Sequence, residues 1–202
     1  MSAQLMTALL LFAVTISMTP GAGNVALIGL SSRYGFTATL PFVSGCAVGV
    51  IAILAGSSIG LVGLFSLYPD LYIILKWLGA AYLLYMAWGI ANTKLDDSSE
   101  VKRSGFISGV LVQILNPKSW VASLTVFSQF ISPTYHYLTQ VVIIISVMVI
   151  TGVLGMLAWA YFGTMLNRLI QSPRKLVWVN RGFGGSLALV ALFVLVQPAT
   201  LN

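Results

Sequence analysis

Two polar stretches interrupt apolar runs of this sequence, and they contain the residues best suited to bind a ligand. Residues 17–24 read SMTPGAGN, and residues 110–124 read VLVQILNPKSWVASL, with NPK at the centre. Proline removes a backbone N–H donor and clashes with the preceding helical turn, so each stretch should break a helix. A broken helix exposes N–H groups at the positive end of its dipole, and Lys118 adds a full charge. The pattern predicts a site for an anionic group such as a carboxylate.

Lys118 is the charge that lies deepest within an apolar run. A lysine at the centre of a membrane helix costs about 2.5 to 3.5 kcal/mol on insertion scales, so it should face a bundle interior or water and have a partner. One hypothesis is that Lys118 binds a substrate carboxylate, together with amides freed near Pro20 and Pro117. The other is that it donates to carbonyls freed at Thr19 or Asn116 and joins the two broken helices.

Neutral polar residues flank both breaks. Asn116 precedes Pro117, which suits a helix N-cap followed by the first helical position. Gln113 is a further polar neighbour, and Gln129 could contact substrate or bond to another helix. The candidate substrate-binding residues are Thr19, Pro20, Gly21, Asn24, Asn116, Pro117, Lys118 and Gln129.

The acidic residues all map to predicted connections: Asp70, Asp96, Asp97 and Glu100. Coupling through a carboxylate in the membrane core is therefore not expected; Lys118, a less obvious group, or the membrane potential acting on a charged substrate remain open. The sequence lacks paired core carboxylates, a metal-spaced His/Cys cluster and a nucleophile–base set, which argues against an enzyme. It also lacks a phosphate-binding loop, so we expect no nucleotide and no other cofactor.

Composition indicates that the solvent of this chain is largely lipid. Of its 202 residues, 58% are hydrophobic and 7% charged, whereas soluble domains carry about a quarter charged residues. The net charge of +6 does not predict nucleic-acid binding, because the cations lie in short connections rather than on one polar face.

Six apolar runs are long enough to cross a hydrocarbon core of about 30 Å: residues 5–30, 40–67, 71–91, 105–131, 138–166 and 176–196. None shows strand alternation, so all are predicted helices. No Lys or Arg precedes the first run and no A-x-A-like site follows it, so we expect it to be a span rather than a signal peptide.

The basic residues predict an orientation. They cluster between spans one and two, three and four, and five and six, while the other connections and both tails contain none. Because Lys and Arg favour cytoplasmic loops, both termini are predicted outside. Two halves of three spans must run inverted relative to each other, as in many secondary transporters with interrupted helices at the midplane. We expect one transmembrane domain over residues 1–202: repeat one at about 1–92, a linker at 92–104, and repeat two at about 105–202.

Two glycine pairs are predicted to allow close helix approach. Gly45 and Gly49 lie four residues apart in the second span, and Gly152 and Gly155 lie in the fifth.

Four motifs together resemble the LysE/RhtB family of amino-acid exporters. They are TPGAGN, RYGFTATLPFVSGCAVGV, LKWLGAAYLLYMAWGI and GFISGVLVQILNPKSW, and motif by motif they cover about residues 1–132. The resemblance implies a six-helix carrier of the bacterial inner membrane that exports amino acids or related metabolites, driven by the proton-motive force. A channel for small neutral solutes is the alternative, and a homo-oligomer is left open.

Overall fold

The computed structural model describes residues 1–19, 21–60, 105–132, 134–169 and 173–196, together with isolated helical positions between 67 and 91. Regular structure in this part of the chain is entirely helical, so the predicted all-α class is confirmed. A short 3-10 turn, Thr37–Thr39, precedes the third of the seven α-helices that the described residues form. We number these helices α1 Ala3–Met18, α2 Ala22–Tyr34, α3 Leu40–Ser58, α4 Phe106–Ile114, α5 Pro117–Phe130, α6 Tyr137–Leu169 and α7 Pro173–Val196.

The helices have apolar side chains on their outer faces as well as in the core. Leu11 on α1 is 65% exposed, and Val142 on α6 is 63% exposed. A helix that is apolar all round belongs in a protein interior or a membrane. Because these side chains face outward, their surroundings must be lipid.

The first and fourth predicted spans are each two helices joined by a bend. The axes of α1 and α2 differ by 52°, and those of α4 and α5 by 62°. The bends lie at TPG and at NPK, where the prolines predicted them. Both breaks are thus confirmed in position, although Pro20 lies outside the described residues.

Length and composition identify two to four candidate spans in the described part of the chain. The helices at residues 37–58 and 137–166 qualify alone, and each bent pair qualifies if it is one span. Helix α7 coincides with the predicted sixth span. The predicted third span lies mostly outside the described residues, as does the linker at 92–104, so six spans remain a prediction.

Glycines bring α3 and α4 into backbone contact. A Cβ atom added at Gly45 would overlap the backbone of Phe106, and one at Gly109 would overlap the carbonyl of Phe42. At Gly49, an added Cβ would lie 2.8 Å from the Cβ of Gln113. The close approach predicted for Gly45 and Gly49 is confirmed.

The two glycines of the second pair, Gly152 and Gly155, have different surroundings. A Cβ at Gly155 would lie 3.0 Å from the Cβ of Ser17 on α1, so Gly155 is a packing glycine as predicted. A Cβ at Gly152 would meet no atom of the described residues within 4 Å. The packing role predicted for Gly152 is wrong, because this side of α6 faces a cavity rather than a helix.

The most extensive helix contacts join the first half of the sequence to the second. Helix α3 packs along α4, and α2 packs along α6, which also contacts α1 and α3. One apolar cluster surrounds Leu27, Phe42 and Cys46; another surrounds Leu9, Val126 and Ile144. Each bent pair is therefore held mainly by a long helix of the other half.

We predict that Gly45→Ala destabilises the protein. Its methyl group would overlap the Phe106 backbone, and overpacking of this kind costs about 1–3 kcal/mol. Gly182→Ala on α7 is the matched control, since a Cβ there meets nothing within 4 Å. Unfolding in detergent, followed by circular dichroism, compares the two variants. Equal stabilities would contradict the contact.

Candidate functional site

The break between α1 and α2 is extended backbone. Thr19 ends α1 with φ −69° and ψ 127°, and Gly21 precedes α2 with φ −154° and ψ 175°. The last carbonyls of a helix lack intrahelical donors. Here Asn24 supplies them: its Nδ2 donates to the carbonyls of Ser17 at 3.3 Å and Thr19 at 3.1 Å. Asn24, on the first turn of α2, thus fixes the end of α1.

The break between α4 and α5 is closed by side chains on its second helix. Asn116 has φ −89° and ψ 111°, and its Oδ1 accepts from the amide of Lys118 at 3.1 Å. This is the N-cap that the sequence predicted. The indole Nε1 of Trp120 donates to the Ile114 carbonyl at 2.7 Å, and the Ser119 hydroxyl donates to Gln113 Oε1 at 2.6 Å. The end of α4 is thereby fixed to the start of α5.

Lys118 connects the two breaks. Its Nζ donates to the Thr19 carbonyl at 2.6 Å, one of the two contacts predicted for it. The side chain passes over Gly21, where an added Cβ would lie 3.2 Å from Lys118 Cδ and 3.4 Å from Nζ. Gly21 therefore leaves room for the lysine. The carbonyl end of α1 also carries partial negative charge, which favours an ammonium there.

A cavity lies beside this connection. Its volume is about 100 Å³, several times the ~10–15 Å³ that one water molecule requires. Helices α1 to α6 all line it, α4 through Gln113, and Asn116 lines it at the second break. Its polar walls are Ser17, Gly21, Asn24, Gln113, Asn116, Lys118, Ser119 and Ser123, and its apolar walls include Val50, Leu54, Met148 and Met156. The cavity can hold a small polar molecule.

Lys118 gives this cavity its charge. The part of the chain that the structure describes contains no Asp or Glu, because the four carboxylates all lie outside it. Arg33 and Arg181 are not among the cavity residues; the Arg181 guanidinium lies 5.5 Å from the Trp178 ring. The described walls are therefore positive at Lys118 and otherwise neutral, which suits a carboxylate.

The candidate residues from the sequence are only partly brought together. Gly21, Asn24, Asn116 and Lys118 line the cavity, and Thr19 contributes the carbonyl that Lys118 contacts. Pro20 lies outside the described residues, and Pro117 begins α5 at the second break. Gln129 does not line the cavity; it is exposed, and its amide lies 3.5 Å from the Ser128 hydroxyl.

Several cavity residues were not predicted. Ser123 follows Ser119 by four residues, a spacing that puts both on one helix face. Met148, Gly152 and Met156 share a face of α6 for the same reason. These spacings are visible in the sequence, yet apolar and small residues at helical spacing normally pack in a core. The signal that distinguishes them is their position beside the cavity.

We predict that Asn116→Ala destabilises the fold by about 0.5–2 kcal/mol, the usual effect of losing an N-cap side chain. Asn116→Ser should retain most of the stability, since a serine hydroxyl can accept from the Lys118 amide. Thermal unfolding in detergent compares the three proteins. If alanine and serine variants unfolded alike, the cap would not be what Asn116 contributes.

Comparison with known proteins places this sequence in a family. The profile of the LysE type translocator family matches residues 14–198. No solved structure matches the chain.

Relatives match over nearly the whole chain. A cysteine/O-acetylserine efflux protein of Klebsiella pneumoniae is 29% identical over 184 residues, covering 89% of this chain and 92% of the relative. The proteins of the same name from Escherichia coli K12 and Salmonella typhimurium are 27% and 24% identical, each covering 98% of this chain and 97% of the relative. With its family profile matched over more than nine-tenths of the sequence and its paired helix breaks at TPG and NPK, the chain belongs to the LysE type translocator family.

Proposed function

We propose that this protein is a secondary active exporter of small amino acids in the bacterial inner membrane. Membership of the LysE type translocator family supports a transport function, and the efflux proteins that the chain resembles are named for cysteine and O-acetylserine. The observation that carries the proposal is the hydrogen bond from Lys118 to the Thr19 carbonyl at the edge of a polar cavity.

A zwitterion can replace both partners of that bond. Its carboxylate accepts from Lys118 in a charge-assisted hydrogen bond, which is stronger than one to a neutral carbonyl. Its ammonium donates to the Thr19 carbonyl that Lys118 has left. A plain anion would leave that carbonyl with Asn24 alone, and a plain cation would leave Lys118 unpaired. The pair thus favours amino acids over simple ions.

The start of α2 assists with the carboxylate. Ala22 and Gly23 stand in its first turn, where amide N–H groups lack intrahelical acceptors and the helix dipole is positive. At the start of α5, the Lys118 amide already donates to Asn116 Oδ1, and the Ser119 amide donates to the Asn116 carbonyl. Gly21 and Gly23 also line the cavity. The first break is therefore the better anion site.

The packing of the two halves supports an alternating-access mechanism. Each bent pair contacts a long helix of the other half, as expected of two inverted three-helix repeats. Exchange of the Lys118–Thr19 bond for substrate contacts would release one break from the other. We propose that the halves then rock about the cavity, with the proton-motive force or the membrane potential as the energy source and no cofactor.

The test is transport by purified protein in liposomes loaded with labelled L-cysteine under reducing conditions, or with labelled O-acetyl-L-serine. We expect saturable movement that an imposed proton gradient or membrane potential accelerates and an uncoupler slows. Flux that rises linearly with concentration and ignores the uncoupler would indicate a channel. Absence of flux for every amino acid tested would overturn the proposal.

Lys118→Met should lower transport at least tenfold, because a hydrogen bond to a charged group contributes about 1.5–3 kcal/mol. Methionine keeps much of the length of the side chain and removes its charge. Arg181→Met, at an exposed cation outside the cavity, is the matched control and should transport normally. Yield of folded protein is measured alongside. Normal transport per folded Lys118→Met molecule would show that Lys118 does not bind the substrate.

The orientation is tested separately, with both termini proposed to lie outside. A membrane-impermeant maleimide should label Thr134→Cys from outside intact cells and should label Ser98→Cys only after the cells are opened. Ser98 lies outside the described residues, while Thr134 is exposed between α5 and α6. The native protein is the background control, since its one cysteine, Cys46, is buried. External labelling of Ser98→Cys would reverse the topology.

A further inference from the structure

Gly152 holds open one wall of the cavity. On α6, Met148, Gly152 and Met156 follow at intervals of four residues, and all three line the cavity. An added Cβ at Gly152 meets nothing within 4 Å, whereas one at Gly155 would lie 3.0 Å from the Ser17 side chain. Helix packing explains Gly155 and does not explain Gly152. Any side chain at 152 would instead fill space between two methionines that a ligand can otherwise use.

Ser123 lines the same cavity and has an unsatisfied hydroxyl. It lines the cavity from α5 and is 1% exposed, yet its Oγ has no hydrogen-bond partner in the described part of the chain. Nearby hydroxyls are paired: Ser17 donates to the Ala13 carbonyl, and Ser119 donates to Gln113. The Ser57 hydroxyl also has no partner among the described residues, but Ser57 does not line the cavity. A buried hydroxyl without a partner is unfavourable, and a ligand in the cavity can relieve it.

We propose that Gly152 and Ser123 form the subsite for the side chain of the transported amino acid; this inference rests on the proposed function. Lys118 and Ser123 both line the cavity from α5. An amino acid whose carboxylate lies at Lys118 can therefore place a short side chain in the part of the same cavity that Ser123 and Gly152 line. Gly152 limits the size of that side chain, and Ser123 bonds to its polar atom. The substrate class is small amino acids with a thiol, hydroxyl or ester group.

Size selection is tested with Gly152→Ala and Gly152→Val in liposomes that contain labelled L-cysteine or O-acetyl-L-serine. The larger O-acetylserine should lose more kcat/KM than cysteine, shifting their ratio roughly tenfold, as one methylene does in a tight pocket. The alanine variant adds a single methyl group in open space, so it serves if the valine variant does not fold. Gly182→Ala on α7, where an added Cβ also meets nothing within 4 Å, should leave the ratio unchanged.

Polar recognition is tested with Ser123→Ala. We expect kcat/KM for cysteine and O-acetylserine to fall about three- to tenfold, as loss of a neutral hydrogen bond predicts. Transport of L-alanine, whose side chain has no polar atom, should change less than twofold. The thermal midpoint in detergent should stay the same or rise, because the substitution removes an unpaired buried hydroxyl. A purely structural serine would lower that midpoint and affect all substrates equally.

Ser186→Ala is the matched serine control, since Ser186 is exposed on α7 and donates to the Gly182 carbonyl at 2.8 Å. If the native protein transports amino acids but the Gly152 and Ser123 variants keep its substrate preference, the subsite is overturned and the exporter stands. If the native protein transports no amino acid, the proposed function fails and the subsite with it. A changed size ratio at Gly152 together with a selective loss at Ser123 supports both.

Discussion

The hydrogen bond from Lys118 to the Thr19 carbonyl joins the two helix breaks, and the rest of the cavity depends on it. A lysine at membrane depth requires a partner, and a backbone carbonyl is free only where a helix ends. The break at TPG supplies that carbonyl, and the break at NPK positions the lysine 2.6 Å from it. Each interruption would be a defect alone. Together they satisfy a partly buried charge without a carboxylate from the described part of the chain.

Glycine contacts hold this pair of breaks in register. Gly45 and Gly109 bring α3 against α4 at backbone distance, and Gly155 brings α6 against the end of α1. Since α3 and α1 belong to the first half of the chain and α4 and α6 to the second, the halves are interleaved. Contacts between small residues allow close approach with few interlocking side chains. In the exporter proposed above, such interfaces suit halves that hold a site together and also move relative to each other.

The sequence predicted the local features of this site better than the contacts between residues that lie far apart in the chain. Asn116 caps a helix by accepting from an amide two residues away, and proline breaks the helix that contains it, so both features follow from short segments. The partner of Lys118 lies 99 positions away. From the chemistry of lysine alone, the sequence left two kinds of partner open, a substrate carboxylate or a freed backbone carbonyl. Gly152 and Gly155 show the limit: both are glycines in one helix, but only packing reveals that one meets α1 and the other a cavity. Ser123 was missed because an unpaired hydroxyl has no signature in sequence.

The net charge of the substrate limits how a proton gradient or membrane potential can drive transport through this cavity. A zwitterion carries no net charge, so a membrane potential cannot drive it alone; an ion must move with it or be exchanged for it. Lys118 is the ionisable side chain among the described residues of the cavity wall. A substrate shifts a conformational equilibrium only by its difference in affinity between the two states. In the exporter proposed above, the difference in affinity arises because the substrate and the Thr19 carbonyl compete for the ammonium group of Lys118. Binding of the substrate therefore also releases one half of the protein from the other.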